Sequence, residues 1–132
     1  VQKSIKPSLV LKAILIHSTT IIYTISIGVL SLIRLINVPK LNTGFDDKIA
    51  HFLMYALLGF LWFISLETLK KKSSLGIAVI LAIGFGTVIE IVQSLVSSYR
   101  TTEILDIVAN CLGVITMAFI VHIKKEDIVK KL

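Results

Sequence analysis

The sequence predicts an all-α protein, a four-helix transmembrane bundle with both termini cytoplasmic. Three observations lead there. The chain is 55% hydrophobic, with a mean hydropathy of +0.91, too apolar for a soluble domain of this size. Its apolar residues gather into four runs, each about as long as a bilayer-crossing helix must be. Its basic residues fall in short clusters between those runs, dense on alternate connections and sparse on the others. The 132 residues form one domain, with helices expected over about 11–36, 47–68, 74–97 and 103–124.

The first run, Ala13 to Ile33, follows a short basic segment with Lys3, Lys6 and Lys12. It is too long for a signal-peptide core, and no small-x-small cleavage site follows it. Pro39 discourages helix at Val38, so this helix is expected to end around Arg34 to Asn37, and Val38 to Phe45 reads as a loop. The second run, Ile49 to Leu66, has Asp46 or Asp47 available as N-cap. Trp62 and Phe63 near its far end are the residue types that mark a membrane interface. Lys70-Lys71-Lys72-Ser73-Ser74 is a tight basic turn. The third run, Leu75 to Val96, is interrupted only by Glu90 and Gln93. After the polar turn Ser97 to Thr102, the fourth run covers Ile104 to Ile123, with Asp106 and Asn110 near its start.

Orientation follows from the cations. Lys3, Lys6, Lys12, Lys70, Lys71, Lys72, Lys124, Lys125, Lys130 and Lys131 share one side, ten of the fourteen Lys and Arg. The positive-inside rule makes that side cytoplasmic. The net charge of +6 then describes topology and anchoring to anionic lipid. The lysines form no stripe interleaved with aromatics, which argues against a nucleic-acid partner. The lone Cys111 lies within an apolar run and has no intramolecular cysteine to pair with.

This topology brings three helix ends together at the outer face. Asp47, Lys48 and His51 open the second helix, Glu90 and Gln93 close the third, and Asp106 and Asn110 open the fourth. Asp47, His51 and Tyr55 are spaced i, i+4, i+8, and Asp106, Asn110 and Gly113 are spaced i, i+4, i+7, so each set occupies one helical face. Ala78, Ala82 and Gly86 lead up to Glu90, and Ala109 and Gly113 flank Asn110. Such small-residue rows allow close approach in lipid, and helices three and four are expected to pack along them. Glu90 lies roughly 9 Å inside its run at 1.5 Å per residue, where an unpaired carboxylate costs about 3 kcal/mol or more. Arg100 is its expected bidentate partner, with Lys48 and His51 as the other candidates.

The pattern Asp47-Lys48-x-x-His51-Phe52-x-x-Tyr55, Glu90-x-x-Gln93, Arg100 and Asp106-x-x-x-Asn110-x-x-Gly113 resembles the VanZ-like family over about Asp46 to Gly113. The resemblance implies a small multi-pass protein of the bacterial cytoplasmic (inner) membrane and cell envelope. The family takes its name from a member linked to resistance to the glycopeptide antibiotic teicoplanin.

Three functional classes follow. In the first, Asp47, Lys48, His51, Glu90, Gln93, Arg100, Asp106 and Asn110 line a pocket for a lipid head group, a cell-wall precursor or a glycopeptide. In the second, the protein is an intramembrane enzyme with His51 and Glu90 as catalytic candidates in acid–base chemistry. In the third, it is a structural or accessory subunit of a larger envelope or secretion complex. No cofactor is expected. With no HExxH and one histidine in the cluster, no metal is expected either. Elsewhere the bland reading prevails. His17 is expected to be satisfied by packing or a backbone carbonyl, Tyr55 and Tyr99 to sit at an interface, Glu67 and Glu103 to be solvated, and Met54 and Met117 to pack.

The topology makes a direct prediction. Cysteines placed at Asn42 and at Ser73 are expected to label from opposite sides of intact cells. Labelling of Ser73→Cys from outside would reverse the orientation.

Overall fold

A computed structural model describes residues 6–33, 46–96 and 104–132. Within them lie four helices and no strand: α1 (Pro7–Leu32), α2 (Asp46–Thr68), α3 (Ser74–Val96) and α4 (Ile104–Val129). All four are long and apolar enough to cross a membrane. Helix α1 starts before the expected position 11 because Pro7 occupies the first turn, where its missing N–H costs nothing. It ends at Leu32, also earlier than expected. Ile33 turns extended there, its N–H still bonded to the Val29 carbonyl at 2.9 Å. Helix α4 runs past the expected 124 to Val129, carrying the charged tail.

The α2–α3 turn is closed by two backbone bonds, Lys70 N–H to Glu67 O at 2.9 Å and Lys71 N–H to Leu66 O at 3.2 Å. With Lys70 in the left-handed region (φ 50°), this is the Schellman pattern that satisfies the last carbonyls of a helix. The turn sends α3 back along α2.

Helix α2 is the centre of the bundle. It packs most extensively on α4, next on α3, and then on α1, which also touches α3. The core reflects this, with Tyr55, Leu58, Phe63 and Leu66 of α2 set among Ala78 and Ala82 of α3, Val114, Met117 and Val121 of α4, and Ile27 of α1. Two sequence expectations are corrected here. Phe63 is fully buried and Trp62 packs against the core, so neither simply marks an interface. Tyr55 is also buried, because the small residues of α3 leave room for its ring. The outward faces are apolar instead: Ile22, Ile25, Ile80, Leu95, Phe119 and Ile123 are all exposed. So much exposed aliphatic surface suits lipid and not water.

Helices α3 and α4 do pack on each other, as the small-residue rows suggested, but the closest approaches those rows allow are to α2. A Cβ on Gly113 would collide with the Phe52 backbone of α2, 2.9 Å from its carbonyl carbon. On Gly86 it would lie 2.6 Å from Tyr55 Cε1 and 3.2 Å from Asn110 Nδ2. Both glycines therefore admit an α2 residue that any side chain would displace. Helix α1 is held by polar contacts as well as packing. Thr20 Oγ1 donates to Leu61 O at 3.2 Å and Tyr23 Oη to Met54 O at 3.2 Å.

Gly113→Ala is expected to destabilise the bundle by about 2 kcal/mol, the scale of core overpacking, because the obstruction is backbone. Gly76→Ala and Gly84→Ala meet nothing within 4 Å and are expected to be neutral or stabilising by up to about 1 kcal/mol through helix propensity. Thermal unfolding in detergent reads all three. Equal losses would remove the α2–α4 contact as the close approach.

Candidate functional site

Helices α2 and α4 both begin at the same end of the bundle, and their first turns carry the polar residues that meet. The Lys48 ammonium contacts Asp106 Oδ1 directly and Asp47 Oδ2 at 3.2 Å. Asp106 is buried, Lys48 is largely covered, and Asp47 is 58% exposed. One cation thus bridges the first turns of two helices. Carboxylates there also meet the positive ends of the helix dipoles.

One turn deeper, His51 stacks on Tyr55, with ring planes 5° apart and centroids separated by 6.4 Å. Its Nδ1 lies 3.0 Å from Asn110 Oδ1 and 3.6 Å from Glu90 Oε1. Both facing atoms are acceptors, so the tautomer with its proton on Nδ1 donates to Asn110. Its Nε2 faces Asp47 Oδ1 at 3.8 Å and Asp106 Oδ2 at 4.0 Å. Glu90 and Asn110 are buried. Two side-chain atoms at this level, Tyr55 Oη and Asn110 Nδ2, are buried without a hydrogen-bond partner. Such atoms are uncommon in native interiors, and they mark the floor of the cluster as a place where polar capacity is unspent.

Six of the eight residues singled out from the sequence therefore come together: Asp47, Lys48, His51, Glu90, Asp106 and Asn110. Gln93 does not join them. Its Nε2 donates to the Ser31 carbonyl, so it ties α3 to the end of α1. Arg100 and its expected pairing with Glu90 lie outside the described residues, as do Tyr99 and Glu103. Lys48, one of the alternative partners considered for Glu90, contacts the two aspartates.

A second polar group, unforeseen in the sequence, lies at the other end of the bundle. Thr68 gives its hydroxyl proton to Ser65 O at 2.7 Å. Its oxygen then accepts from His17 Nε2 at 3.2 Å, which leaves His17 Nδ1 to accept from Ser65 Oγ at 2.5 Å. So His17 is satisfied by two hydroxyls and not by a backbone carbonyl. Glu67 is mostly covered, accepts from the buried Ser74 Oγ and pairs with Lys125 at 3.2 Å, so it is not simply solvated. The signal available was sequence distance only: a glutamate in one turn and lysines in a tail on the same side.

Lys48→Met is expected to cost about 2 kcal/mol or more, because it leaves Asp106 buried without its cation. Lys48→Met combined with Asp106→Asn is expected to be milder than the single change, since removing both charges costs less than stranding one. Additive losses in thermal stability would show that the two groups are not coupled.

The chain matches the VanZ/LLP1 family model over residues 6–125. No curated protein and no solved structure matches it. The family match spans all four helices and every residue of the cluster, and the chain is therefore a membrane protein belonging to the VanZ/LLP1 family.

Proposed function

We propose that this protein lies in the bacterial cytoplasmic membrane with both termini inside, and that its polar cluster recognises an envelope molecule from the outer face. The ligand classes are a lipid head group, a cell-wall precursor or a glycopeptide. The observation that carries the reading is the gathering of Asp47, Lys48, His51, Glu90, Asp106 and Asn110 at one end of a largely apolar bundle. Ionisable groups in a membrane interior are expensive and are functional by default. A site wet at one end and apolar below suits a polar head joined to a lipid tail.

The charge balance refines the ligand. Among the described residues of this cluster, three carboxylates face one ammonium and one imidazole. Hydroxyl-rich surfaces, with their mixed donors and acceptors, fit such a lining better than a bare anion does. Contact with a phosphate or carboxylate falls to Arg100, whose planar fork is suited to it.

One feature favours the structural-subunit reading. The Lys48 bridge and the His51–Asn110 bond both join α2 to α4 and would stabilise the bundle without any ligand. Native mass spectrometry of the purified chain separates the two. An adduct of envelope lipid or precursor mass is expected with the natural sequence. It should fall roughly tenfold with His51→Gln, Glu90→Gln and Arg100→Lys while the helical signal is retained, a loss of about 1.4 kcal/mol in binding. If all three variants insert, fold and fully complement a deletion, the cluster has no recognition role. A stoichiometric protein partner surviving purification would then assign the chain to a larger complex.

A further inference from the structure

We propose that Asp47, His51 and Asp106 form a binding site for a divalent first-row cation, Zn²⁺ or Mn²⁺. One donor atom from each lies within 4.8 Å of the other two. The surroundings argue for coordination more strongly than the spacing does. His51 Nδ1 lies 3.0 Å from the Asn110 amide oxygen, to which the Nδ1–H tautomer donates. With Nδ1 engaged there, Nε2 is the ring nitrogen that faces Asp47 Oδ1 at 3.8 Å and Asp106 Oδ2 at 4.0 Å. These separations are too long for hydrogen bonds. They are close to the roughly 3.4 Å between ligands of a tetrahedral ion with bonds near 2.1 Å.

The other oxygen of each carboxylate, Asp47 Oδ2 and Asp106 Oδ1, is held by Lys48. All three donors are thus gripped from behind, the imidazole by an amide and both carboxylates by one ammonium. Metal ligands characteristically have such outer partners. Asn110 is itself almost fully buried, and its Nδ2 has no hydrogen-bond partner, so the amide that orients the imidazole does so at the expense of its own donor.

Two ligands, His51 and Asp106, are well covered, and the third, Asp47, lies exposed at the rim beside Lys48. An imidazole with two carboxylates suits Zn²⁺ or Mn²⁺ better than Mg²⁺ or Ca²⁺, which prefer oxygen alone. Three protein ligands leave a position open for an outside oxygen. The single histidine that argued against zinc in the sequence is supplemented by Asp106, which only the α2–α4 contact brings near. On the recognition reading above, and resting on it, the open position would take a hydroxyl or phosphate oxygen of the ligand. Metal binding itself needs no ligand and is tested separately.

The test uses the full chain purified without a histidine tag and stripped with chelator. Calorimetric titration with Zn²⁺ and Mn²⁺ is expected to show one site per chain. Asp47→Asn, at an exposed position, should weaken it at least tenfold with the fold unchanged, and His51→Gln should do the same. Asn110→Ala should weaken it about tenfold through the ring orientation. Glu67→Gln, at the opposite end of the bundle, should leave it unaltered. Circular dichroism identifies variants that lose helix. If the natural chain takes up no stoichiometric metal, or if Asp47→Asn and His51→Gln both bind as tightly as it does, the site is overturned.

Discussion

Helix α2 reaches α4 at backbone distance, and the rest of the arrangement depends on that contact. Gly113 lies against the Phe52 backbone with no room for a side chain. Once two helices touch so closely, their relative register is fixed to a fraction of a turn. That register places Lys48 beside Asp106 and His51 beside Asn110. It also leaves α3 to complete the cluster from the side, with Gly86 yielding space to Tyr55 and Glu90 facing His51. In lipid there is little hydrophobic force between helices, so close packing and interhelical polar contacts must supply the association. Here the two act in one register.

Much of this was legible in the chain. Four apolar runs and alternating basic clusters are enough to set helix number, and the i, i+4 spacing of Asp47, His51 and Tyr55 already puts them on one face. Periodicity names the face of a helix, however, and not the neighbour that the face meets. Gly113 was therefore assigned to an α3 contact when its partner is α2, and Gln93 was grouped with Glu90 although it bonds to the end of α1. Tyr55 was expected at an interface. Its burial follows from Gly86, a residue on another helix. The His17–Ser65–Thr68 group and the Glu67–Ser74–Lys125 group were invisible for the same reason. Each is assembled from residues that are unremarkable in their own segments.

The charge pattern of the cluster has a local logic. Helices α2 and α4 run parallel, so their positive dipole ends lie side by side. Asp47 and Asp106 in the first turns offset that field. Glu90 is placed differently. It lies well before the end of α3 and is buried, with His51 Nδ1 3.6 Å from its Oε1. The His51 Nδ1–H facing it is one stabilising dipole that the fold supplies. One imidazole thus serves both levels, directing its proton inward to Asn110 and Glu90 and its other nitrogen outward to Asp47 and Asp106.

That division makes His51 the residue through which the exposed rim and the buried floor are coupled. A cation or proton at Nε2 strengthens the Nδ1–H as a donor, because charge drawn from one side of the ring acidifies the other. The stronger donor then binds Asn110 and Glu90 more firmly. Were the exposed side occupied, the effect would be transmitted into the bundle without any backbone movement, through a single flat ring stacked on Tyr55. The stacking keeps the ring in plane between the two levels, and Tyr55 is kept in place by the absence of a side chain at Gly86. The same small residue that permits the helices to pack therefore also permits the imidazole to connect the outer carboxylates with the inner ones.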